Sequence, residues 1–102
     1  MVAALEDKRD AIAALCRKYG VVRLHVFGSA LRDDFRIGES DLDLLADFGE
    51  QDPFELVDSY FGLLEELRTL LDTKVDLVMS DAIKNRYIRA EVDRTKQVLY
   101  AA

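Results

Sequence analysis

Cysteine occurs once in this 102-residue chain, as Cys16, and proline once, as Pro53; there is one histidine, His25, and no tryptophan. A lone thiol excludes an internal disulfide framework and a cysteine cage around a metal, and it suits a reducing compartment, so the cytoplasm is the expected location. With one proline, scattered glycines and no repeat or low-complexity linker, residues 1–102 are expected to form a single domain. No apolar run reaches bilayer-spanning length and no basic leader with a small-residue cleavage site is present, so no membrane partner is expected. Basic residues are also in deficit, 14 Lys plus Arg against 20 Asp plus Glu, for a net charge of -6. Such a surface repels a nucleic-acid backbone, leaving a protein or a small molecule as the expected partner.

What is present is patterning. Leu5, Ile12, Leu15, Cys16 and Tyr19 recur at helical spacing and predict an amphipathic first helix. Gly20 then releases the chain into VVRLHVFG, a strand with Val22, Leu24 and Val26 on the helix side and Arg23 and His25 on the other. Residues 28 to 40 open with a small-residue turn that can start a short helix. SDLDLLADF follows as a second strand that groups Leu42, Leu44, Ala46 and Phe48 and turns Asp41 and Asp43 the other way.

Asp52, Pro53 and Glu55 form a capping-box start for a long helix whose buried stripe is expected to be Phe54, Val57, Phe61, Leu64, Leu67 and Leu71. KVDLVM is a third strand, burying Val75 and Leu77 and directing Asp76 away from them. A final helix capped by Ser80 or Asp81 carries Ile83, Tyr87 and Ala90, with Val98 and Leu99 nearby. These elements predict an α+β fold, a short mixed three-stranded sheet with helices mainly on one face.

The carboxylates on the opposite face need an explanation. In extended backbone Asp41 and Asp43 lie about 6 to 7 Å apart at their α-carbons and point the same way. Asp76 takes the equivalent outward position on the third strand. Three such groups repel one another unless a hard divalent cation, magnesium as the first choice, neutralises them and leaves room for phosphate oxygens. Gly28 and Ser29 could surround a phosphate with backbone N–H groups and a hydroxyl, although Gly-Ser alone is more often an ordinary turn.

Taken in order, FGSALR, SDLDLLADF and KVDLV resemble the motifs of the minimal nucleotidyltransferases of the DNA polymerase beta superfamily. The resemblance is especially to the small bacterial members paired with HEPN-domain proteins in toxin–antitoxin modules. The resemblance implies a polymerase-beta-like core in which Gly28 and Ser29 contact the triphosphate of ATP. It also implies that Asp41 and Asp43 bind Mg2+, and that Asp76 completes the metal site or helps activate the attacking hydroxyl. The implied activity is protein adenylyltransfer: AMP moves from ATP to a tyrosine or other hydroxyl of a cognate HEPN toxin, which is thereby neutralised within a hetero-oligomer. A non-catalytic antitoxin acting by occlusion, and a small-molecule nucleotidyltransferase completed by another subunit, stay open as alternatives. Arg32 matches the family arginine and serves either a phosphate or acceptor contact or an ion pair with Asp33, Asp34 or Glu39. Two departures, Asp33 in place of a small glycine and Ile37-Gly38-Glu39 before the Ser-Asp motif, bear on nucleotide specificity without removing a carboxylate.

Other residues have plainer readings. His25 is expected to pack within its strand, Asp47 to sit at a solvated edge, and Tyr19, Tyr60, Tyr87 and Tyr100 to pack their rings while keeping their hydroxyls wet. Arg86, Arg89, Arg94 and Lys96 form a basic strip suited either to an acidic partner or to pairing along their own helix.

Overall fold

The computed structural model describes residues 3–31, 36 and 39–102, with the backbone alone described for Ala3, Ala4, Ser29 and Ala30. Along the chain run α1 (Ala3–Asp7), α2 (Arg9–Lys18), β1 (Val21–Phe27), a 3-10 turn (Gly28–Leu31), β2 (Leu42–Phe48), α3 (Pro53–Leu71), β3 (Val75–Met79), a second 3-10 turn (Ser80–Ala82), α4 (Arg86–Thr95) and β4 (Gln97–Ala101). The strands form one mixed sheet in the order β3-β2-β1-β4. β1 is antiparallel to β2 and β4, and β2 is parallel to β3. Parallel pairing requires a crossover, and the 19 residues of α3 supply it.

Alternation along the strands places the core. Leu24, Val26, Leu42, Leu44, Val75 and Leu77 pack in one cluster with Ile12 and Cys16 of α2 and Leu63, Leu67 and Leu71 of α3. The α+β class and mixed sheet agree with the sequence reading, while the strand count is four rather than three. Val98 and Leu99 belong to β4 instead of extending the last helix: Lys96 takes an extended conformation, and the outer edge of β1 offers hydrogen bonds that a continued helix would forgo.

Four local expectations are also corrected. Lys8 leaves helical geometry (φ -102°, ψ 7°), so the first helix is split in two. In β1 an irregularity between Val21 and Arg23 shifts the alternation, so that Val21 rather than Val22 is buried. Asp52 does hold the N-cap position of α3 and Pro53 the first turn, but the Asp52 side chain makes no capping hydrogen bond. The final helix is capped by Asn85, whose Oδ1 accepts from the backbone N–H groups of Tyr87 (2.9 Å) and Ile88 (3.1 Å), whereas Ser80 and Asp81 lie in the preceding 3-10 turn.

The stripe of α3 differs most. Leu63, Leu67 and Leu71, spaced by four residues, are buried, and Leu64 packs against them from the side. Phe54, Val57 and Phe61 are 81%, 54% and 61% exposed. The first half of this helix carries an apolar row, Phe54, Val57 and Phe61, that is rotated from the leucine row of the second half, and the leucine row is the one that meets the sheet.

α4 joins β3, at one edge of the sheet, to β4 at the other. Arg89 of α4 and the following Lys96 line a hollow of about 160 Å3 with His25 and Leu45. Leu45 alternates with the core-facing Leu44 and Ala46, so this hollow lies on the sheet face opposite α2 and α3.

Candidate functional site

The carboxylates gather where β2 and β3 begin and β1 ends. Asp43 is the second residue of β2 and Asp76 the second residue of β3, and the two are direct register partners across the parallel pair. Neighbouring strands lie about 4.8 Å apart, and partners in register project to the same face. The antiparallel neighbour of Asp43 on its other side is Phe27, the last residue of β1. Gly28 follows at φ +66°, a conformation that disfavours any residue with a β-carbon. A β-carbon built on Gly28 would collide with the Asp43 carboxylate. Absence of a side chain at position 28 therefore creates the space that the Asp43 carboxylate occupies.

The start of β2 is pinned by its neighbour. Leu42 N–H donates to the Lys74 carbonyl (2.9 Å), and Thr73 Oγ1 donates to the Ser40 carbonyl (3.2 Å). These bonds hold Asp41, the exposed residue just before β2, at the same end of the sheet. Asp41 and Asp76 line one open hollow of about 590 Å3 with Arg68, Asp72 and Lys74. Arg68 Nη2 also donates to the Val75 carbonyl (3.2 Å), fixing the first residue of β3. Arg68 and Lys74 went unremarked in the sequence reading; Lys74 directly precedes the Asp76 strand, whereas Arg68 lies within α3, where the sequence carries no signal for it.

Of the other sequence-predicted site residues, Ser29 lies in the 3-10 turn after Gly28, with its side chain outside the described residues. Arg32, Asp33, Asp34, Ile37 and Gly38 also lie outside the described residues. Among the described residues no group of three or more His, Cys, Asp or Glu side chains stands close enough to hold a metal ion by itself. The arrangement is a pair, Asp43 and Asp76, with Asp41 beside it. A magnesium ion that keeps substrate phosphates and water in its shell needs only one or two protein carboxylates, so this donor set fits such an ion.

Residues away from this end have other work. Asp47 pairs with Arg23 (2.9 Å) and stays out of the carboxylate group. Burial, then Lys96 and Arg23, push the His25 pKa below its ordinary value, against weaker opposing effects of Asp93 and Asp47. On α4 the cations pair locally, Arg89 and Lys96 with Asp93 and Arg94 with Glu91, while Arg86 lies 5.2 Å from the centre of the Tyr87 ring. Tyr60 donates to the Leu77 carbonyl (2.6 Å) and Tyr19 to Glu66. A hollow of about 530 Å3 at the other end of β2 and β3 is lined in part by Asp47, Met79, Ser80 and Arg89. Its arginine is already committed to the Ser80 carbonyl and to Asp93, and it contains none of the predicted site residues.

A mixed sheet that brings strand carboxylates beside a glycine turn is the architecture of a minimal nucleotidyltransferase. Residues 8–98 match the nucleotidyltransferase domain family, and the chain belongs to it. It is 38% identical over 79 residues to a Methanocaldococcus jannaschii protein named "Putative protein adenylyltransferase MJ0128", covering 78% of this chain and 76% of that one. A solved structure described as a "putative minimal nucleotidyltransferase" superposes with a TM-score of 0.67 at 34% identity, over 91% of this chain and 90% of the other. The complex described as tri-AMPylated Shewanella oneidensis HEPN toxin with MNT antitoxin also shares the fold, at a TM-score of 0.63 and 19% identity, over 96% of this chain and 73% of the matched one.

Proposed function

We propose that this chain is a protein adenylyltransferase that moves AMP from ATP, with Mg2+, onto a tyrosine hydroxyl of a HEPN-domain toxin and so acts as its antitoxin. The observation that carries the reading is the register of Asp43 with Asp76 beside a glycine turn open to the Asp43 carboxylate. The MJ0128 relative, named as an adenylyltransferase, and the fold shared with an antitoxin of an AMP-modified HEPN toxin support it.

In this reading the backbone N–H groups of the turn starting at Gly28 receive the triphosphate, with Ser29 adding a hydroxyl and Arg32 a cation. Asp43 and Asp76, with Asp41 beside them, would hold magnesium, which when bound would offset phosphate charge and polarise the α-phosphate. The acceptor oxygen forms a bond to the α-phosphorus while the bond from that phosphorus to the pyrophosphate oxygen breaks. Asp76, exposed at the start of an edge strand, takes the hydroxyl proton, and pyrophosphate departs with the bonding electron pair. Phe27 and Gly28 on one side and β3 on the other restrict how the acceptor approaches, so orientation contributes alongside charge. The acceptor is a protein and the acidic surface avoids nucleic acid, which accords with a cytoplasmic hetero-oligomer. No helix among the described residues is long and apolar enough to cross a membrane.

Incubation of the purified HEPN partner with this protein, magnesium and ATP labelled at the α- or the γ-phosphate tests the reaction. Label from the α position alone should become covalently attached to the partner. Transfer from the γ position, or no transfer, would overturn it.

A further inference from the structure

The first half of α3 carries an apolar face that the fold leaves uncovered. Phe54, Val57 and Phe61 recur at helical spacing on a face rotated away from the buried row of Leu63 and Leu67, and each is more than half exposed. Phe61 is braced edge-on by Tyr60, with ring centroids 5.1 Å apart, which limits the freedom it would lose on being covered. Exposed acids flank the cluster: Glu50 and Asp52 before the helix, Glu55 and Asp58 between the apolar residues along one side, and Glu65 one turn beyond Phe61. An apolar centre with a charged rim is the anatomy of a protein-docking surface.

We propose that this face of α3 is the docking surface for the AMP-accepting partner, and that the partner presents to it an apolar patch rimmed by Lys and Arg. The inference rests on the adenylyltransferase reading for the identity of the occupant. Charge selects against a second copy: a two-fold contact sets the same surface against itself, placing the acidic rims of two chains of net charge -6 face to face. Three side chains also fall well short of the roughly 800 Å2 per partner of a standard stable interface, so the occupant must extend beyond them onto the acidic rim. Position favours a substrate protein as well. At about 1.5 Å per residue, Phe61 stands roughly 15 Å along the helix from Leu71, and the chain enters the Asp76 strand beyond that. A partner anchored here leaves the carboxylate end uncovered to receive its hydroxyl.

The test compares wild type with Phe54→Ser/Val57→Ser/Phe61→Ser and with the rim variant Glu55→Lys/Asp58→Lys, using the purified HEPN partner. Association is measured by titration calorimetry at low and high salt, ATP–magnesium affinity separately, and mass by light scattering. Expected are an unchanged fold and ATP affinity, at least a tenfold loss of association in the triple variant, and weaker, less salt-sensitive association in the rim variant. Partner affinity equal to wild type in both variants would overturn the proposal, as would a wild-type homodimer that the triple variant converts to monomer. A partner that binds wild type and loses the triple variant, yet never accepts AMP, supports the docking surface while sinking the transfer chemistry.

Discussion

Gly28 and Asp43 share one space: the glycine, at φ +66°, lies where a β-carbon would strike the Asp43 carboxylate. Gly28→Ala should therefore cost about 1 to 2 kcal/mol for the left-handed backbone and displace a carboxylate assigned to the reaction. A misplacement near 1 Å is expected to lower transfer by about a hundredfold. Thermal unfolding and single-turnover transfer check the two effects separately. A variant transferring at the wild-type rate would remove Gly28 from the site.

His25 gives the fold a pH signature. Its folded pKa lies below the ordinary histidine value, through burial first and then Lys96 and Arg23. As pH falls through the histidine range the unfolded chain binds the proton before the folded chain does, so stability rises with pH there. The contribution is fully present above about pH 6.5 and is lost as pH falls through the folded value. Since His25 is the sole histidine, His25→Gln should flatten the decline in melting temperature between about pH 7.5 and 5.5. An equal slope in both proteins would show that other groups set it.

Cys16 should be chemically silent. Burial pushes its thiol up to about 12, with Arg17 opposing weakly, and the side chain lies within the core cluster. A thiol with so little thiolate is a poor nucleophile near pH 8. Native protein is expected to resist iodoacetamide and to react fully once unfolded; rapid labelling of the folded chain would contradict the packing assigned to α2.

The outward direction of Asp43 and Asp76 was legible because each is flanked by aliphatic residues on a two-residue period, Leu42 and Leu44, then Val75 and Leu77. Their side-by-side register was not, since it is set by hydrogen bonds such as Leu42 N–H to the Lys74 carbonyl between segments separated by the whole of α3. The α3 pattern misled because it contains two apolar rows. Only contact with the sheet selects Leu63, Leu67 and Leu71 and leaves Phe54, Val57 and Phe61 outside. β4 was hidden for a related reason: Val98 and Leu99 extend an apolar pattern already helical, and their strand conformation depends on the distant edge of β1.

The most direct measurement is the intact mass of the purified HEPN partner, together with its ribonuclease activity, after incubation with ATP, magnesium and either wild type or Asp41→Asn/Asp43→Asn. The substitutions keep side-chain size and leave Leu42 in the core while removing both charges. Wild type should add AMP to the partner and silence it; the double variant should add none and leave it active, even where the two proteins still associate. An unmodified partner silenced equally by both proteins would establish inhibition by occlusion and contradict the enzymatic account.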